Sequence, residues 1–166
     1  MEHTMENALI AGILLSVIII PFFVITQKSK KQRKVALAAR LTDLADKTNC
    51  QITQSDLLDT KAIGLDENSQ TILFIDTNEE NNLIIDLTEI STCNLLKKID
   101  SSAINSIQLH IKDKNDKLLH VVPFYKRFAD NESHLSIVAK TAEKWRLLIE
   151  RTINEHKSLA INGIRS

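Results

Sequence analysis

The segment Ser106-Ile107-Gln108-Leu109-His110-Ile111-Lys112, followed across Lys114-Asn115-Asp116-Lys117 by Leu118-Leu119-His120-Val121-Val122-Pro123-Phe124, decides the class of fold. Ile107, Leu109 and Ile111 alternate with polar residues, the period of a strand that buries one face. A turn centred on Asn115-Asp116 opposes Ile111 to His120, Leu109 to Val122 and Ile107 to Phe124. Apolar pattern and turn chemistry thus agree on an antiparallel hairpin. Its other face, with Gln108, His110 and Lys112 beside Leu119 and Val121, is half polar, and antiparallel sheets tolerate such a face in water.

Upstream, Thr71-Ile72-Leu73-Phe74-Ile75-Asp76 and Leu83-Ile84-Ile85-Asp86-Leu87 flank a polar turn from Thr77 to Asn82, which predicts a second hairpin. Thr92 to Lys97 reads as a further strand, and Ala62-Ile63-Gly64-Leu65 as a short apolar patch. Downstream, Asp130-Asn131-Glu132-Ser133 offers N-caps to a helix whose apolar stripe is Leu135, Val138, Ala142, Trp145, Ile149 and Ile153. The expectation is an α+β domain over residues 50–157: six or seven antiparallel strands capped by a C-terminal helix, with 158–166 as a tail.

The N-terminal part has a different character. Asn7 to Gln27 is a 21-residue run without a charge, mostly Leu, Ile, Val, Phe and Ala. As a helix it spans roughly 31 Å, the thickness of a bilayer core. The leader, residues 1–7, has two acids and no Lys or Arg, and no small-x-small cleavage site follows the run, so a retained transmembrane helix over 8–27 is expected and not a signal peptide. Lys28, Lys30, Lys31, Arg33 and Lys34 follow directly, which places the C-terminal part in the cytoplasm and the leader outside. Residues 28–49 lack Gly and Pro and read as a helical stalk ending near Asn49. One side carries Leu37, Leu41 and Leu44, free to pack on its own domain or to pair with another copy.

Charge follows the same division. The whole chain carries 21 Lys+Arg and 21 Asp+Glu; residues 1–34 hold five basic and two acidic, a net +3, which leaves 16 basic and 19 acidic beyond, a net −3. A mildly acidic body with 4% aromatic residues argues against a nucleic-acid partner. Cys50 and Cys93 form no Cys-x-x-Cys and have no His at metal spacing, which fits reduced thiols in a cytoplasmic domain.

The strands, including Ile85-Asp86-Leu87-Thr88-Glu89-Ile90, and the terminal helix with Ala142-Glu143-Lys144-Trp145 and Ile149, together resemble the pleckstrin-homology-like (PH-like) domains of bacterial single-pass membrane proteins. The resemblance covers roughly Cys50 to His156 and rests on arrangement. It implies a bent, barrel-like sheet plugged by the C-terminal helix, serving in binding or assembly.

Catalytic signals are sparse. His3, His110, His120, His134 and His156 are widely spaced, so no metal site is expected. Asp66-Glu67 and Glu79-Glu80 read as solvated turn residues, no Ser lies in a Gly-flanked elbow, and no cofactor is implied. For a lipid head group the turn Asn78-Glu79-Glu80-Asn81 has the wrong charge, and Lys126-Arg127 is the best remaining basic pair. The sequence therefore points to a single-pass inner-membrane protein whose cytoplasmic domain binds a protein partner or another copy, with Leu37, Leu41, Leu44, Leu119 and Val121 as candidate contact residues. The alternative is a lipid- or small-ligand-sensing domain at the inner membrane face.

Overall fold

A computed structural model describes the backbone over residues 31–100 and 102–163, and side chains as far as 155. The expected leader and the transmembrane helix at 8–27 lie outside the described residues, as do Lys28 and Lys30. Among the described residues no helix is long and apolar enough to cross a membrane.

The architecture is α+β. Helix α1 (residues 31–47) is followed by β1 (Gln54–Leu57), β2 (Lys61–Asp66), β3 (Thr71–Asp76) and β4 (Asn81–Asp86). A 3-10 turn at Leu87–Glu89 leads into β5 (Ile90–Asp100), β6 (Ala103–Asp113) and β7 (Leu118–Lys126), and a second at Glu132–His134 into α2 (Leu135–Gly163). The strands form two antiparallel meanders, β1-β2-β3-β4 and β5-β6-β7. The residues expected as a tail from 158 onward continue α2 through Gly163.

Three hairpins share one turn device, written in the sequence as Asp-x-Asn. Asp66, Asp76 and Asp113 each accept the N–H two residues on, from Asn68 (2.9 Å), Asn78 (2.9 Å) and Asn115 (2.8 Å). Each turn then closes with a left-handed residue: Gln70 (φ 54°), Glu80 (φ 50°) or Asp116 (φ 62°). Asx turns of this kind supply the bend that glycine supplies elsewhere, so a chain with only three Gly still makes tight hairpins.

The hairpin read first from sequence holds at Ile111–His120 and Leu109–Val122, but Ile107 lies opposite Tyr125 instead of Phe124. The shift falls just beyond Pro123, which has no N–H to give the ladder, and Phe124 becomes the extra residue of a bulge. Phe124 and Tyr125 are consequently both buried.

Two clusters of apolar residues hold the structure. The larger lies between the sheets and α2, where Ile63, Ile72, Phe74 and Ile85 from one sheet meet Leu109, Ile111 and Val122 from the other. The stripe Val138, Ala142, Trp145, Ile149 and Ile153 closes it, as the helical spacing implies. Trp145 Nε1 donates to Asp56 Oδ2 at 2.7 Å, which satisfies the one polar atom of a ring with no exposed surface.

The smaller cluster lies on the opposite face of β2 and β3. Leu37, Leu41 and Ala45 of α1 pack there on Ala62, Leu73 and Ile75. Gly64 makes this possible, because a Cβ on it would sit 3.4 Å from Leu41 Cδ2 and 3.3 Å from Ile52 Cδ1. The helix ends in a Schellman turn: Asn49 is left-handed (φ 54°), Cys50 N–H donates to Ala45 O at 2.9 Å and Asn49 N–H to Asp46 O at 3.3 Å. From Leu37 onward the chain forms one compact unit. Of the two alternatives the sequence left for Leu37 and Leu41, packing on their own domain is the one the structure shows: both are 3% exposed, because small residues on β2 let the helix approach its own sheet, and they offer no contact surface to another chain.

Candidate functional site on the outer face of the three-stranded sheet

The two sheets differ in what covers them. Every residue of β2 and all but the first of β3 are buried. The sheet β5-β6-β7 buries the face that carries Cys93, Leu109, Ile111 and Val122, and on the other face it buries Ser106. Cross-strand rows on its outer face run Asn94–His110–Val121, Leu96–Gln108–Pro123 and Lys98–Ser106–Lys126. Several large apolar side chains on these strands stay in the open: Leu96 at 37% exposure, Leu118 at 43% and Ile99 at 69%.

Of the contact residues read from the sequence, Leu119 and Val121 belong to this sheet. Leu119 (36% exposed) is the extra residue of a second β7 bulge, between the pairs Ile111–His120 and Lys112–Leu118. Val121 is half-buried. Leu44 is half-buried against the smaller cluster. Lys31, Arg33 and Lys34 are exposed on α1.

One end of the outer face is concave. A cavity of about 470 Å³ opens there, with Lys98, Ser106, Gln108 and Lys126 on its floor and Glu79 of the β3–β4 turn on its wall. Lys126 Nζ is paired with Glu79 Oε1 at 2.8 Å, and that hydrogen bond holds the Lys126 ammonium above its ordinary range. The turn that seemed too acidic for an anion thus spends one acid on a neighbouring cation. Ser106 is 7% exposed and its Oγ has no hydrogen-bond partner. The Gln108 side chain is fixed by His110 Nε2 at 3.2 Å from its Oε1.

A buried ionic node sets the position of the cavity's basic rim. Lys61 Nζ lies 2.5 Å from Asp130 Oδ1 and 3.4 Å from Asp76 Oδ2, all three side chains being almost inaccessible. Asp130 Oδ2 in turn accepts the Lys126 N–H at 2.8 Å, so the end of β7 is tied to the start of β2. Such a node adds little net stability over an apolar replacement, but loss of one member leaves uncompensated buried charge. Just beyond, Phe128 is 90% exposed and left-handed (φ 68°), with the Arg127 guanidinium 5.0 Å above its ring. A bulky residue in that backbone region is strained, and such strain concentrates at working surfaces.

The ionisable groups elsewhere read as structural. Burial pushes the Cys93 thiol up to about 12, so it is protonated at neutral pH and a poor nucleophile. Burial also acts to raise Asp66, but hydrogen bonds from Gln51, Ser69 and Asn68 outweigh it and leave the carboxyl below its ordinary value. Among the described residues no three or more His, Cys, Asp or Glu side chains are grouped so as to hold a metal ion. His110 and His120 sit in adjacent rows on opposite faces, opposite Val121 and Ile111.

Searches of protein-family models, curated proteins and solved structures found no match to this chain.

Proposed function

We propose that this chain is a membrane-anchored interaction subunit, held at the inner membrane by residues 8–27 with its folded body in the cytoplasm, and that the body meets its partner through the outer face of β5-β6-β7. Helix α1 covers β2 and β3 on the outer face of one sheet, where Ile84 of β4 stays 51% exposed, while the other sheet keeps Leu96 and Leu118 in the open on its outer face, and this contrast carries the reading. Exposed large apolar groups on an otherwise well-packed body mark contact surfaces when they recur on one side. The PH-like reading draws support from the order of elements, four strands and then three, with α2 closing the core between them. Tethering to a bilayer would raise the effective concentration of a partner in the same membrane, so a modest contact area suffices.

The test is purification of the full chain in mild detergent. A stoichiometric partner or a homo-oligomer is expected, released by the double change Leu96→Asp and Leu118→Asp with the melting temperature kept. A monomer without partner contradicts the proposal.

A further inference from the structure

The concave end of the outer face has features that a protein-contact surface does not require. Register places Ser106 directly between Lys98 on β5 and Lys126 on β7, so a hydroxyl is flanked on both sides by ammonium-bearing side chains. Directly opposed residues have Cβ atoms about 5 Å apart, so both lysines can reach a group seated over the serine. Ser106 Oγ is buried without a hydrogen-bond partner, and a buried hydroxyl left unpaired is unfavourable. Ser106 also lines a cavity of about 470 Å³, within the range of small-molecule sites.

The charge around that space is not the charge of the body. Lys98, Lys126 and Arg127 line it with Glu79 as the one acid, a net +2 on a body whose net charge is −3. Lys98 makes no ion pair among the described residues, while Lys126 is held by Glu79 at 2.8 Å and Arg127 approaches Glu132 at 3.5 Å. Both of these pairs are at least partly solvent-exposed and screened, and can exchange for a better acceptor. Val121 and Pro123 add an apolar strip on the same floor.

We infer that this cavity is a binding site for a small phosphate-bearing ligand, its anionic oxygens over Ser106 between Lys98 and Lys126 and its less polar part against Val121 and Pro123. The inference goes beyond the interaction reading and does not depend on it. A phosphate supplies several acceptors to a hydroxyl and two ammonium groups at once, and charge-assisted hydrogen bonds of this kind are the stronger ones. A soluble metabolite and a lipid head group are two sources of this one chemistry.

Calorimetric titration of the full chain in neutral detergent with glycerol 3-phosphate, and separately with mixed micelles containing phosphatidic acid, tests the site and tells the sources apart. Saturable binding in at least one titration is expected. Ser106→Ala should weaken it about tenfold, and Lys98→Glu, a change on an exposed side chain, should abolish it. Ser106→Ala should leave the melting temperature the same or higher, since it removes an unpaired buried hydroxyl. Absence of binding in both titrations, or binding indifferent to Lys98→Glu and Ser106→Ala, overturns the inference.

Discussion

The four-stranded and three-stranded sheets are built from similar sequence material and end in different environments. In β2 the α1-facing positions are Ala62 and Gly64, small enough for Leu37 and Leu41 to lie flat on the strand, and β2 and β3 are buried on both faces. In β6 the corresponding outward positions are Ser106, buried at the concave end, and Gln108 and His110, which are half-buried. Small residues invite a helix, whereas longer polar ones beside scattered Leu leave a face that works in water and in contact. Under the function proposed above, the difference gives stability to the first sheet and recognition to the second.

The comparison can be broken from the covered side first. Lys61→Ala strips the cation from Asp76 and Asp130 and should cost about 3–5 kcal/mol, read as a fall in the urea midpoint. Leu41→Ala opens a cavity beneath α1 and should cost about 2–5 kcal/mol in the same measurement. If the helix were an independent stalk, that variant would unfold like the parent. Residues 50–157, the domain expected from sequence, should likewise fold poorly without α1.

A smaller effect is expected at the β2–β3 turn. Asp66→Asn weakens hydrogen bonds to Gln51, Asn68 and Ser69 and should cost about 1–3 kcal/mol at pH 7. Because the folded state holds the Asp66 carboxyl below its ordinary value, its contribution is complete above about pH 4 and is lost as pH falls through the folded-state value. Denaturation curves of parent and variant should therefore converge on going from pH 7 to pH 3. The smallest effect belongs to the uncovered face: Leu96→Ser should alter stability by no more than about 0.5 kcal/mol, while lowering partner occupancy in the same preparation.

Much of this frame was legible in the residues. The α2 stripe from Leu135 to Ile153 and the pairs Ile111–His120 and Leu109–Val122 follow from periodicity and turn position alone. The register error at Ile107 arose from the bulge at Phe124, for which Pro123 was the available signal. The pair β1-β2 was not visible as strands because Gln54-Ser55-Asp56-Leu57 shows no apolar alternation. Its inward Asp56 is satisfied by Trp145 Nε1, a partner 89 residues away. The Asp-x-Asn repeats at Asp66, Asp76 and Asp113 would have announced all three hairpins. The stalk's apolar side was legible, but what covers it depends on Ala62 and Gly64 lying across from Leu41. The cavity was hidden for the same reason: Lys98, Ser106 and Lys126 meet only through register, and Glu79 joins them from 47 residues away.

Amide hydrogen exchange, compared between the intact assembly in mild detergent and the dissociated chain, tests the division of labour between the sheets most directly. The account requires new protection over residues 94–99 and 118–123, with 37–47 and 61–76 equally protected in both states. Protection gained instead at 37–47, or none gained at β5 and β7, would contradict it.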